Sequence, residues 1–112
     1  MIWLLFVAQV AVVDAQKALA DPNPHWIAPA ELDGDPATRE WVEWGIAGEH
    51  TNDFRALGIR PDGTLCRGEW FDPFPRDPGT FWYGYPDEVQ GKTRIIVQSV
   101  DRYIEVAVTP CR

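Results

Sequence analysis

An apolar run at residues 2–13 constrains this chain more than any other feature, because it decides which residues belong to the folded domain. The run is broken only by Gln9. A helix needs about 20 apolar residues to cross the hydrocarbon core of a bilayer. The run has twelve residues, so we expect no stable membrane span. It is a secretory signal that is removed, a helix that stays in the folded protein, or an uncleaved anchor.

The residues after the run favour a secretory signal. Such a signal has an apolar core of about 7–15 residues and small residues at the cleavage site. Residues 18–20 have the sequence ALA, and residues 21–24, DPNP, contain two prolines that prevent a helix from continuing. We therefore expect residues 1–20 to be cleaved after Ala20, leaving a secreted or periplasmic protein.

Two observations favour a retained helix instead. No Lys or Arg lies near Met1, although secretory signals usually begin with a positively charged region. A stripe at helical spacing also runs through the segment and contains Leu4, Ala8, Ala11, Ala15 and Ala18. If the helix is retained, the protein is either cytoplasmic or a structural subunit of a larger assembly.

The charge of the chain excludes some classes of partner. The net charge is −7, and residues 21–53 contain eight acidic side chains against one arginine. Such a surface repels phosphate groups, so we expect neither nucleic acid nor an anionic membrane as a partner. The acidic region at 31–53 is either a solvated surface or a docking surface for a neutral or basic protein.

Cys66 and Cys111 are the only cysteines of the chain. In an oxidising compartment we expect them to form a disulfide. Closing a loop of this size stabilises a protein by about 4 kcal/mol in the chain-entropy model. In the cytosol they would instead be buried thiols, since two cysteines alone do not make a zinc site.

Local patterns predict a mainly β domain at residues 35–112, in the form of a small antiparallel sheet or barrel, after an extended proline-rich linker at 21–34. The sequence PDG at 61–63 indicates a turn between strands at 54–60 and 64–71. Residues 93–100 and 103–109 are rich in Ile and Val and predict a second hairpin.

A short helix is predicted near residues 35–45. Asp35 is a suitable N-cap, and Pro36 fits the first helical position. Trp41 and Trp44 are three positions apart, which would place them on one face of such a helix.

Aromatic side chains are concentrated among the prolines of residues 70–86. Prolines hold a loop extended, so its rings could form a preordered platform for a protein partner, or for carbohydrate as an alternative ligand. The rings could also fold inward and cover the sheet. The candidate binding residues, with two acidic ones included, are Glu40, Glu43, Trp70, Phe74, Trp82, Tyr83 and Tyr85.

Catalysis has weak support in this sequence. His50 and Asp53 could form a base and its orienting carboxylate, but the only serine, Ser99, lies in a predicted strand. We find no metal-ligand spacing and no phosphate-binding loop, so we expect neither metal nor cofactor. The sequence favours non-catalytic protein binding by an inhibitor-like or accessory module. A small enzyme that uses His50 and Asp53 is the alternative.

Overall fold

A computed structural model describes residues 25–112 and shows two antiparallel β-sheets. Sheet A contains β1 (His25–Ala30), β2 (Glu40–Gly45), β3 (Phe54–Ile59) and β4 (Leu65–Arg67). Sheet B contains β5 (Tyr83–Val89), β6 (Lys92–Gln98) and β7 (Tyr103–Ala107). Within each sheet the strands lie side by side in chain order. The predicted mainly β fold is therefore confirmed, whereas the predicted signal at residues 1–20 lies outside the described residues.

Both predicted hairpins are present. The turn between β3 and β4 contains Asp62, whose carboxylate accepts a hydrogen bond from the Thr64 amide at 2.9 Å. β6 and β7 are joined by the four residues 99–102, and the Ser99 amide donates to the Arg102 carbonyl at 3.0 Å. In both hairpins the turn brings consecutive strands into antiparallel register.

The helix predicted near residues 35–45 is wrong. Residues 40–45 form β2, which lies between β1 and β3, and the described residues contain no helix. Asp35 does make the hydrogen bonds of a cap, but they close only one turn. Its carboxylate accepts a hydrogen bond from the Ala37 amide at 2.9 Å, and its carbonyl accepts one from the Thr38 amide at 3.1 Å. The chain then becomes extended, because hydrogen bonding to a strand on each side stabilises β2 more than further helical turns would.

Two strands contain proline, and both are edge strands. β1, with Pro29, lies within the 21–34 range assigned to a linker, and β5, with Pro86, lies within the aromatic, proline-rich segment. Proline lacks the amide hydrogen of a sheet ladder, so it is confined to edges. β1 and β5 each pair with a neighbour on one side only, which leaves room for proline on the other.

The main core lies between the two sheets. Val42 and Phe54 of sheet A are 0% and 1% exposed, and Ile95 and Val97 of sheet B are 0% exposed. These side chains alternate along their strands with residues on the outer faces, as the two-residue period of a strand requires. The arrangement is a small sandwich with one outer face on each sheet.

The predicted disulfide between Cys66 and Cys111 is present. It joins β4 of sheet A to the segment that follows β7 of sheet B, so it ties the two sheets together. A disulfide of this kind is consistent with an oxidising compartment. In residues 25–112 no helix is long and apolar enough to cross a membrane.

Candidate binding face

The two acidic residues of the predicted site are buried. Glu40 is 5% exposed, and its Oε2 accepts hydrogen bonds from the amides of Leu32, at 2.7 Å, and Asp33, at 3.3 Å. Burial raises the pKa of Glu40, while the two backbone hydrogen bonds act in the opposite direction. The carboxylate therefore holds the loop before β2 in place and is not available on the surface.

Glu43 is 0% exposed and lies on the opposite face of sheet A. Arg55 donates from Nε to its Oε1, and Nε2 of His25 lies 3.5 Å from its Oε2. A buried carboxylate needs such partners, because desolvation of an unpaired charge is very costly. Like Glu40, Glu43 acts inside the fold.

Trp70 covers the charged end of the outer face of sheet A. The Arg55 guanidinium carbon lies 4.3 Å from the centroid of the Trp70 ring, and the His50 ring stacks on it at 4.3 Å. His50 Nδ1 lies 3.3 Å from Asp53 Oδ2, and both side chains are partly exposed. The His50–Asp53 pair considered for catalysis therefore does converge, with one face of the imidazole occupied by Trp70.

Phe74 and Trp82 fold inward. Both pack against the core between the sheets, so they cover it. Phe74 lies so close to Gly84 that a Cβ at that position would be 3.0 Å from its ring. Arg102 lies over the Trp82 ring at 5.0 Å.

Tyr83 and Tyr85 lie on the outer face of sheet B, where a third tyrosine joins them. Strand register places Tyr83, Gln98 and Tyr103 in one row across the sheet, and Tyr85, Ile96 and Glu105 in the next. Tyr83 is 49% exposed and Tyr103 is 54% exposed. We call Tyr83, Tyr85 and Tyr103, with Gln98 and Glu105, the tyrosine face.

Hydrogen bonds fix the rings of the tyrosine face. The Tyr83 hydroxyl donates to Gln98 Oε1 at 2.6 Å, and the Tyr103 hydroxyl donates to Glu105 Oε1 at 3.2 Å. Tyr83 and Tyr85 stack with centroids 6.2 Å apart. Desolvation, and then the hydrogen bond to Glu105, raise the pKa of Tyr103 above its ordinary value of 10.0. Beneath the rings, Ile96 is only 1% exposed.

Tyr103 was absent from the predicted site, although the sequence carries a signal for it. Residues 103–107 alternate, with Tyr103 and Glu105 on one face and Ile104 and Val106 on the other. Because Ile104 and Val106 pack against the core, the tyrosine must point outward.

A second cluster, not predicted from the sequence, brings together Glu31, Asp33 and Glu40. One carboxylate oxygen from each lies within 4.8 Å of the others. Hydrogen bonds from the Asp35 backbone and the Thr38 side chain lower the pKa of Asp33, and the Glu40 carboxylate is bonded to amides as described above. The carboxylates of Asp33 and Glu40 therefore already have hydrogen-bond partners within the loop before β2.

No protein-family model, curated protein or solved structure matches the chain. The geometry of the tyrosine face and the charge of the protein are therefore the observations that bear on its function.

Proposed function

We propose that this protein is a small, acidic, non-catalytic binding protein of an oxidising compartment, which captures a neutral or basic protein through the tyrosine face. The observation that carries this proposal is the grouping of three tyrosines, two of them about half exposed, around the buried Ile96 on one sheet face. Tyrosine is among the residues that most often dominate the binding energy of protein interfaces.

The order of the tyrosine face supports binding. Tyrosine offers a large contact area with few rotatable bonds, so little conformational entropy is lost when it is held against a partner. Tyr83 and Tyr103 are already held by Gln98 and Glu105 in the free protein. Preorganised side chains of this kind increase affinity because less ordering remains to be done on binding.

The disulfide supports the proposed compartment, and the net charge supports the proposed class of partner. Cys66–Cys111 persists where thiols are oxidised. With a net charge of −7, long-range attraction favours a neutral or basic partner over an acidic one.

Site-specific photo-crosslinking in the cells that make the protein tests the proposal. A photoreactive phenylalanine analogue is placed at Tyr83, at Tyr103, or at Trp26 as a control. Trp26 is an exposed aromatic residue of sheet A, at 58% exposure. We expect the same protein to be crosslinked from positions 83 and 103 and to be absent from position 26, as identified by mass spectrometry.

Affinity for the crosslinked protein then provides the quantitative test. Tyr83→Ala and Tyr103→Ala should each weaken binding by roughly 30-fold, as expected for interface residues worth about 2 kcal/mol. Ile46→Ala is the matched control, because Ile46 is an exposed apolar residue in the loop after β2. Unchanged affinity in both tyrosine variants, with melting temperatures close to that of the parent, would remove the tyrosine face as the binding surface.

A further inference from the structure

The two described sheets have four edge strands, and three of them are protected against pairing with another chain. In sheet A, β1 contains Pro29, and β4 is only three residues long. In sheet B, β5 contains Pro86. Proline and short length are devices that stop a further strand from adding to an edge. The fourth edge strand, β7, has five residues without proline or glycine, and within residues 25–112 it pairs with β6 alone.

The hydrogen-bond alternation of sheet B decides which backbone groups of β7 point to this edge. In an antiparallel pair, every second residue of a strand bonds to the neighbouring strand, and the residues between them point away from it. At the start of the hairpin the Ser99 amide donates to the Arg102 carbonyl. Tyr103, the next residue, therefore points away from β6, and Ile104 points toward it. The residues of β7 whose amide and carbonyl face the edge are Tyr103, Glu105 and Ala107.

Observations at the other end of β6 agree with this assignment. The Thr93 amide donates to the Glu31 carbonyl at 2.7 Å and so points away from β5. Ile95, two residues further on, points the same way, and its partner in β5 is Pro86, which has no amide hydrogen to offer. Ile95 therefore bonds to its partner in β7, Val106. The residues on either side of Val106 are left facing the edge.

The edge of β7 and the tyrosine face belong to the same residues. Tyr103 and Glu105 present their backbone groups to the edge and their side chains to the tyrosine face. A strand added to β7 would place every second side chain on that face, with the Cβ atoms directly opposite those of Tyr103 and Glu105 about 5 Å away. The backbone of such a strand would bind the edge while its side chains meet the rings.

Charge decides between the possible occupants of this edge. Glu105 is the only charged residue of β7, it lies at the centre of the strand, and it is exposed. Opposite charges directly across a strand pair are stabilising, and like charges are destabilising. Two copies of the chain paired antiparallel about the centre of β7 would place one Glu105 opposite the other, and each copy has a net charge of −7. A segment with a basic side chain at that position fits instead.

From these observations we infer that the partner is bound through an extended basic segment, which adds to β7 as a fourth strand of sheet B and places a lysine or arginine opposite Glu105. In recognition of this kind the main chain supplies affinity and alternate side chains supply specificity. The inference rests on the proposed function, since it names the segment that the tyrosine face takes. It also requires the outward amides of β7, which the proposed function does not.

Peptide selection supplies a probe for the edge. A random library of short linear peptides displayed on phage is selected against the full 112-residue chain, and the enriched peptides are synthesised. We expect peptides with a lysine or arginine that bind the parent more tightly than Glu105→Lys. A selection without enriched peptides would overturn the inference, and so would enriched peptides without a basic residue. Neither result would affect the crosslinking test of the tyrosine face.

Amide hydrogen exchange measured by NMR shows whether a selected peptide pairs with β7. With saturating peptide, exchange of the Tyr103 and Glu105 amides should slow by at least about 10-fold, because each then donates a hydrogen bond. The amides of Ile104 and Val106 bond to β6 and should be protected with and without peptide. Unchanged exchange at Tyr103 and Glu105, with shifted tyrosine resonances, would overturn the inference and leave the tyrosine face as the binding surface.

Glu105→Pro and Glu105→Ala form a matched pair of variants. Both remove the carboxylate, but only proline removes the outward amide. Because that amide makes no bond to β6, proline is tolerated there, and both variants should melt close to the parent. Glu105→Pro should bind the selected peptide about 10-fold more weakly than Glu105→Ala, since a peptide carbonyl is left without its donor. Ala107→Pro, which removes another outward amide without a change in charge, should also weaken binding.

Three results with these variants would contradict the inference. Equal affinity of Glu105→Pro and Glu105→Ala would show that the outward amide is not used. An unfolded Glu105→Pro, with Glu105→Ala folded, would show that this amide bonds to β6. Self-association of the free parent chain in analytical ultracentrifugation, abolished by Ala107→Pro, would assign the edge to a second copy.

Discussion

Glu40 and Glu43 are close in the chain but point to opposite faces of β2, so their carboxylates have different partners. Glu40 is bonded to backbone amides, whereas Glu43 is bonded to Arg55. Glu40 therefore has no cationic partner in the described contacts to offset its burial, which is why burial dominates its titration.

Replacement of Glu40 tests this difference. Because burial raises its pKa above the ordinary 4.5, folded protein retains a proton that the unfolded chain has released. Its contribution to the free energy of unfolding therefore falls as pH rises through the window between the two pKa values. Glu40→Gln removes that fall, so the variant should gain stability relative to the parent as pH rises above the ordinary pKa of 4.5. Urea denaturation at each pH measures this difference.

Asp62 provides a control of opposite sign. Hydrogen bonds from the Thr64 side chain and amide lower its pKa below 3.8, so its contribution is present above that value and is lost as pH falls through the folded pKa. Asp62→Asn should therefore lose stability relative to the parent as pH rises toward 4. A pH-independent difference for Glu40→Gln would show that its carboxylate titrates alike in the folded and unfolded chains.

The turn between β5 and β6 is the shortest connection among the seven described strands, and no sequence pattern predicted it. Val89 pairs with Lys92, so only Gln90 and Gly91 form the loop, with φ angles of 53° and 83°. Two positive φ angles are typical of a type I′ turn, in which Asn-Gly is the preferred pair. Glutamine is less suited than asparagine to this conformation.

Gln90→Asn should therefore stabilise the protein by about 0.5–1 kcal/mol. Gly91→Ala is the opposing variant: it should destabilise by about 1–2 kcal/mol, because a Cβ is strained at positive φ. Nothing lies within 4 Å of a Cβ built there, so the loss would come from the backbone alone. Thermal denaturation of both variants tests the turn, and equal melting temperatures would show that its conformation does not limit stability.

The elements that could be predicted are those with local causes. Each hairpin has a signal within its own segment of the chain: the turn sequence PDG at 61–63 for the first, and the Ile- and Val-rich residues 93–109 for the second. The strand at 40–45 could not be separated from a helix, because Trp41 and Trp44 fit both periods and Asp35 supplies a cap. Its extended form is decided by pairing with β1 and β3, which no local pattern contains.

For the candidate site, the sequence predicted some of the residues but not the direction in which their side chains point. Tyr83 and Tyr85 were identified from aromatic density, but density does not say which rings point outward. Phe74 and Trp82 point inward because they meet the core between the sheets. The burial of Glu43 depends on Arg55, twelve positions away on the neighbouring strand, and only the strand register reveals that contact.

For the molecule as a whole, the Cys66–Cys111 disulfide joins the two sheets across a separation of 45 residues. Cys66→Ser with Cys111→Ser should lower the free energy of unfolding by about 4 kcal/mol, the entropy of the loop that the bridge closes. Urea denaturation of the parent with and without reductant should show the same loss, and reductant should not affect the double variant. A midpoint equal to that of the parent would mean that the sheets hold together without the bridge.

The chain order of the two sheets has a consequence for how the protein is made. Sheet A is complete by residue 67, whereas Cys111 follows the last strand of sheet B. A chain that emerges amino terminus first can therefore assemble sheet A while Cys66 still has no partner. The bridge can close only after β7 has followed, so the oxidation state of Cys66 in nascent chains reports whether sheet B has joined sheet A.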